Sequence, residues 1–282
     1  MMTHRFFQRL IQSFIPVVGT VLIVLYVFVP FYWVLSVSVT PEQQFFAREL
    51  RLIPRNLTLE NYFHLFKVLP FAEYFRNSTI VALSTTALSL SVAIPAAYAF
   101  ARFRFRGRRP LLLSILMLYM IPPIVLIVPL LVIFNRLRLY NTFPGLIVAN
   151  VSLTLPFAIW LLVGFFASLP REIEDAALVD GCTPLGALRQ VVLPLSLPGI
   201  VAAGLFVFIV TWNEFLFAFT FTSSEGVKTL PVAMRPFVRG EAGVFWGTIM
   251  AAATLTTIPV IVLFLFFQRY LIGGLSAGSV KG

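Results

Sequence analysis

The chain has one cysteine, two histidines and few charges of either sign. Lone Cys182 excludes an intrachain disulfide and any cysteine-based metal cluster. His4 and His64 stand far apart in the sequence, so a histidine metal site is not expected. A membrane enzyme would need converging nucleophile, base or metal ligands, and none emerges. No internal repeat and no low-complexity segment occur. Only 11% of the 282 residues are charged, against about 25% in an ordinary soluble domain.

What the chain has instead is apolar length. Hydrophobic residues make up 59%, and the mean hydropathy is +0.94. Apolar runs of about 18 or more residues indicate membrane-spanning helices. Six such spans are expected, near 14–39, 76–100, 111–134, 146–167, 199–221 and 246–268. At about 1.5 Å per residue, each crosses a hydrocarbon core of about 30 Å. The expected fold is an all-α polytopic membrane protein, one transmembrane domain over residues 1–282. The first run is too long for a signal-peptide core and lacks a small-residue cleavage site, so an uncleaved first span is expected.

An even number of spans puts both termini on one side. Arg102, Arg104, Arg106, Arg108 and Arg109 crowd between spans two and three with no acid among them. Positive charge in short loops marks the cytoplasmic side, which puts that loop and both termini inside, with Arg5 and Arg9 in agreement. The net charge of +10 has the same origin, Lys and Arg flanking spans, so no nucleic-acid partner is expected. The outer segments are 40–75, with a short amphipathic helix from about Leu59, a turn near 135–145, and a loop near 223–245.

One polar island interrupts the apolar pattern. Between spans four and five, 168–198 carries Pro170-Arg171-Glu172-Ile173-Glu174-Asp175-Ala176-Ala177-Leu178-Val179-Asp180-Gly181. Pro170 suits the first position of a helix, where its missing N–H is no loss. Glu172, Glu174 and Asp175 favour the positive end of the helix dipole. Gly181 can stop the helix in the left-handed region. Thr183-Pro184 reads as an N-cap and a first-turn proline opening a second helix that ends before Pro194. The expectation is a cytoplasmic helix–turn–helix whose charged face docks a soluble partner, with Ala176 and Ala177 leaving room for that partner's backbone. An ordinary interfacial loop with solvated acids is the alternative.

The island also resembles the cytoplasmic signature of importer-type ABC permeases: Glu-Ala-Ala, three residues, Gly, about nine residues, then an apolar residue, any residue and Leu-Pro. Here it reads Asp175-Ala176-Ala177-Leu178-Val179-Asp180-Gly181 and Val191-Val192-Leu193-Pro194, with Asp175 in place of the usual Glu. Asn56-Leu57-Thr58-Leu59-Glu60-Asn61-Tyr62, Ala97-Tyr98-Ala99-Phe100-Ala101-Arg102, Trp212-Asn213-Glu214-Phe215, Thr229-Leu230-Pro231-Val232-Ala233 and Gly278-Ser279-Val280-Lys281-Gly282 resemble the MalG-like subunits of maltose-type sugar importers. The resemblance implies a bacterial-type cell-membrane permease pairing with a second, MalF-like permease, two ATPase subunits and an extracytoplasmic sugar-binding protein. It implies docking through Glu174, Asp175, Ala176, Ala177, Asp180, Gly181, Leu193 and Pro194. ATP and Mg²⁺ would sit on the partner ATPases, with no cofactor on this chain. Gly273 and Gly278 have phosphate-loop spacing, but Ser279-Val280 follow where Lys-Ser/Thr is required, so no ATPase is expected here.

Glu214 is the only acid inside an expected span. Two readings stand side by side. Trp212, Asn213 and Glu214 line the pathway, stacking on and hydrogen-bonding a sugar, or they make a structural contact within the bundle. An ion-coupled carrier using Glu214 is a rival, though such a carrier has no need of the island. Thr79, Ser84, Thr85, Thr86, Ser89 and Ser91, and Thr248, Thr254, Thr256 and Thr257, read as helix–helix glue. Pro122-Pro123 and Pro129 are expected to interrupt the regularity of span three and to mark a hinge or a cavity wall. Arg235 and Arg239, in the outer loop, are candidate contacts for the binding protein or are simply solvated. The substrate class implied is a di- or oligosaccharide, with glycerol phosphate, a polyol or an aminosugar as alternatives.

Overall fold

The computed structural model describes residues 2–44, 56–235 and 245–278. Among them every regular element is helical. The chain divides into two compact units, Met1–Pro70 with Pro236–Thr257, and Phe71–Arg235 with Ile258–Gly282.

In the first unit, α1 (Met2–Ser38) is apolar almost throughout, and Ile23, Tyr26 and Phe28 are exposed. Its end is capped from a distance. Helix α2 (Glu60–Val68) begins where the sequence predicts and buries Asn61 and Leu65. Asn61 Nδ2 donates to the carbonyls of Ser38 (2.9 Å) and Thr40 (2.8 Å), filling acceptors that a helix terminus leaves open. Tyr62 Oη lies 2.8 Å from Ser38 Oγ. Glu42 performs the converse service for the long final helix. Its carboxylate accepts from the amides of Trp246 and Gly247, each at 2.9 Å, where donors are open and the helix dipole favours an anion.

The second unit is built on α3 (Phe71–Arg102), α6 (Phe143–Ser168) and α10 (Leu197–Trp212). Ala93, Ala97 and Ala101 recur every fourth residue on α3 and are buried, so the backbones pack closely. Ala158, Leu162 and Phe166 of α6 and Ala203 and Val207 of α10 complete that core. Of the α3 hydroxyls expected to act as glue, Ser89 reaches across to another helix, 3.2 Å from Thr154 Oγ1 of α6. Thr79 and Thr86 instead bond the carbonyl one turn back, as do Thr254, Thr256 and Thr257 in the final helix, so these hydroxyls satisfy themselves locally.

Two expected spans are broken. Span three divides into α4 (Arg108–Tyr119) and α5 (Pro123–Arg136), bent by 93°. Pro123 pushes Pro122 into the extended region (ψ 130°) and ends the helical path there. Pro129, also expected to interrupt, rides inside α5. Span five stops at Trp212, and α11 (Leu216–Phe221) starts anew after Asn213-Glu214-Phe215. Final helix α13 runs Trp246–Gly278; between α11 and it the described residues include a 3-10 turn, Glu225–Val227, and one turn of α-helix, α12 (Leu230–Ala233). Among the described residues four helices are long and apolar enough to cross a membrane, or up to six if each of two bent pairs counts as one span. The second such pair joins Pro184–Leu195 to Leu197–Trp212 at 78°.

Candidate functional site

The island folds into the helix–turn–helix bracket its sequence predicts. Helix α7 (Arg171–Val179) has Pro170 at the cap and Glu172 and Glu174 in the first turn. Gly181 adopts φ +90°, and the Cys182 amide reaches back to the Ala177 carbonyl at 3.0 Å, closing the helix end. Thr183 caps α8 (Pro184–Ala187), its Oγ1 accepting from the Gly186 amide at 3.1 Å. The second arm does not end before Pro194. A π-helical turn, Leu188–Val192, leads directly into α9 (Leu193–Leu195). The Leu193 amide bonds the Leu188 carbonyl, a wider turn that relieves the clash a proline ring makes with the carbonyl four residues back.

The side chains of α7 divide sharply. Glu174 and Ala177 are buried, while Ile173, Asp175, Ala176, Val179 and Asp180 are exposed. Of the two adjacent alanines, only Ala176 is open to a partner, because Ala177 packs into this chain. Leu193 is half-buried and Pro194 exposed.

Glu174 is turned inward for a specific reason. Its Oε2 lies 2.7 Å from Arg102 Nε, the two side chains only 11% and 7% exposed. Tyr98 Oη donates to Glu174 Oε1. Arg102 also donates through Nη1 to the Leu169 carbonyl, at the entrance to the island, at 3.3 Å. Tyr98 is held edge-on against Phe166 and Phe103. A buried carboxylate is costly unless it is paired and hydrogen-bonded, and Glu174 is both. Tyr98 and Arg102 stand one turn apart on α3. Their spacing puts both on one helix face, and that was the signal available in the sequence.

Trp212-Asn213-Glu214 are not one surface. Trp212 is 2% exposed, stacked on Phe208 at 5.6 Å and edge-on to Phe75 at 5.5 Å. Asn213 is exposed and bonds the Ile209 carbonyl at 2.8 Å. Glu214 accepts from the amides of Phe217 (2.6 Å) and Ala218 (3.0 Å), capping α11 from one residue upstream of the cap position.

The loop from Ser223, expected on the outer side, is fastened to the opposite end of α3. Asn77 Nδ2 donates to the carbonyls of Gly226 (3.1 Å) and Lys228 (3.0 Å), and Ser78 Oγ accepts from the Leu230 amide at 2.8 Å. Tyr74 and Lys228 both donate to Glu225, and these bonds, Lys228's first, hold its carboxyl below the usual carboxylate range. Asn141, at φ +56°, accepts from the amides of Ser223 (2.9 Å) and Ser224 (3.0 Å). Tyr74, Asn77 and Asn141 had no assigned role in the sequence reading, since nothing local announces a partner some 80 to 150 residues away. The Arg235 guanidinium lies 4.9 Å from the Phe219 ring centroid. Arg239 falls outside the described residues. No group of three or more His, Cys, Asp or Glu able to hold a metal occurs among the described residues.

Fold and site together define a multi-pass helical membrane protein carrying a structured polar bracket between apolar helices. Residues 89–276 match the family of binding-protein-dependent transport system inner membrane components, and the chain belongs to that family. It is 34% identical over 277 residues to the trehalose/maltose transport system permease protein MalG of Thermococcus litoralis, covering 98% of this chain and 99% of that one. It is 38% identical over 253 residues to the sulfoquinovosyl glycerol transport system permease protein SmoH of Agrobacterium fabrum, covering 90% and 88%. Its fold is similar to a chain in the crystal structure of a bacterial ABC transporter that imports the acidic polysaccharide alginate. The TM-score there is 0.78 at 21% identity, over 92% of this chain and 96% of that one. This chain is thus a permease subunit of the inner, or cell, membrane.

Proposed function

We infer that residues 1–282 form one transmembrane domain of six spans, with both termini and the 168–198 bracket in the cytoplasm. This domain supplies half of a translocation pathway for a di- or oligosaccharide. A second permease supplies the other half, an extracytoplasmic binding protein delivers the sugar, and two ATPase subunits holding ATP and Mg²⁺ drive the cycle. A helix bundle with two arrangements is biased by whatever binds one of them better, and the ATPases do this by gripping the bracket.

The observation that carries this reading is the shape of the bracket. It is closed by the left-handed Gly181 and the Thr183 cap, and it presents Ile173, Asp175, Ala176, Val179 and Asp180 outward as a small, mixed apolar and acidic face. That is the composition of a docking knob and not of a lipid-facing surface. The sugar class rests on the relatives, whose names refer to trehalose, maltose and a sulfoquinovosyl glycerol. The alternative substrates are glycerol phosphate, a polyol or an aminosugar. An ion-coupled mechanism centred on Glu214 is disfavoured because that carboxylate already caps two backbone amides.

The test is co-purification of the chain from detergent with the products of its neighbouring genes. An ATPase should be retained by the unaltered chain and lost from Gly181→Asp and Asp175→Lys. Persistent uptake with no ATPase ever retained would overturn the importer reading.

A further inference from the structure

Helix α3 is gripped at its two ends by two different loops of the chain. At its C-terminal end, Tyr98 and Arg102 hold Glu174 of the bracket and the Leu169 carbonyl in front of it. At its N-terminal end, Tyr74, Asn77 and Ser78 hold Glu225, Gly226, Lys228 and Leu230 of the outer loop. The helix that carries both grips is unbroken over its whole 32 residues, about 48 Å. Pro95, one turn before Tyr98, leaves it continuous.

We propose that α3 is the strut linking the cytoplasmic bracket to the outer loop, with Tyr98 and Arg102 the positioning residues that make bracket and helix move as one body. This deepens the importer reading and rests on it. Glu174 is then not a docking residue. It is buried and its charge is spent inside the chain, so the face offered to an ATPase is Asp175, Ala176, Val179 and Asp180. A push on that face reaches α3 because a buried ion pair and a buried hydrogen bond resist shear in a way that an apolar contact alone does not. Asn77 and Ser78 then pass the displacement to backbone groups of the outer loop and not to a side chain that could swivel. The ion pair at the centre of the cluster is 2.7 Å across with both side chains nearly buried, so water competes little for it.

The test uses the whole complex, co-purified with its ATPase. Cys182 is changed to Ser, and an environment-sensitive fluorophore is placed at Ala72→Cys, an exposed position in the first turn of α3. ATP with vanadate should shift the emission in this parent. Arg102→Met should cut the amplitude at least about fivefold per bound ATPase, Tyr98→Phe about twofold, and Arg102→Lys should retain more than half. A merely structural role would lower the yield of complex without changing the amplitude per bound ATPase. Full amplitude in Arg102→Met, or no response in the parent while the ATPase is bound, overturns the strut. If Arg102→Met sheds the ATPase, Tyr98→Phe decides, and an undiminished amplitude there overturns the strut as well. No ATPase on the parent would instead sink the importer reading beneath it.

Discussion

Asn61 donates its side-chain amide to the Ser38 carbonyl, 23 residues earlier in the chain, at 2.9 Å. The space it occupies exists because residue 247 is glycine. A Cβ there would come within 2.5 Å of the Asn61 amide group. The end of α1, the start of α2 and the start of α13 are therefore fixed by one side chain, together with Glu42 on the Trp246 and Gly247 amides.

Asn61→Ala leaves two carbonyls without a donor and is expected to lower stability by about 1–3 kcal/mol. Gly247→Ala should be at least as damaging, since the Asn61 amide must leave its place. Thermal unfolding of the detergent-solubilised chain measures both. A melting point unchanged by either substitution would refute the capping account.

Gly181 has open space around its Cα, yet φ is +90°. Gly181→Ala therefore clashes with nothing but is strained by about 1–2 kcal/mol. ATPase retention should weaken without vanishing, whereas Gly181→Asp should abolish it. Equal retention by the two variants would mean that the bracket's turn is not what the partner reads.

Glu214→Gln keeps an acceptor oxygen for only one of the Phe217 and Ala218 amides, a smaller loss than removal of the whole cap, and should be tolerated. Glu214→Leu removes the cap and is expected to cost about 0.5–2 kcal/mol. ATP-driven uptake by Glu214→Gln, measured in proteoliposomes, should keep the pH profile of the unaltered chain. A profile displaced by that single substitution would point to proton coupling at this site.

Glu225 is bonded by Lys228 and Tyr74, and its folded pKa lies below the ordinary 4.5. A depressed carboxylate pKa contributes stability that is present above the unfolded value and is lost as pH falls through the folded one. The melting-point difference between the unaltered chain and Glu225→Gln should hold from neutral pH down to about 5 and shrink below it. Tm measured against pH decides this, and a gap that widens on acidification would contradict the assignment.

Much of the architecture was legible in the sequence because each signal was local. Apolar run length announced the spans. Acids near Pro170, Gly181 and the Thr183-Pro184 pair announced the bracket, since caps and left-handed turns are properties of a few consecutive residues. The arginines at 102–109 suggested an orientation but concealed that one of them, Arg102, is committed inward. Span three was read as a single helix with irregularities, although the pair Pro122-Pro123 turns it by 93°. Sequence marks a proline break but not the angle, which neighbouring helices set.

What the sequence alone determined is that this is a helical membrane chain with a capped polar helix–turn–helix between apolar helices, because hydropathy and capping act over a few turns of helix. What only the tertiary structure decided is which way each polar side chain turns. Glu174 and Asp175 are adjacent carboxylates, and nothing local distinguishes them. Glu174 lies on the face that packs towards Tyr98 and Arg102, and Asp175 on the face that does not. A charge so near the membrane can be buried only where its partners already stand, and those partners come from a helix more than 70 residues away.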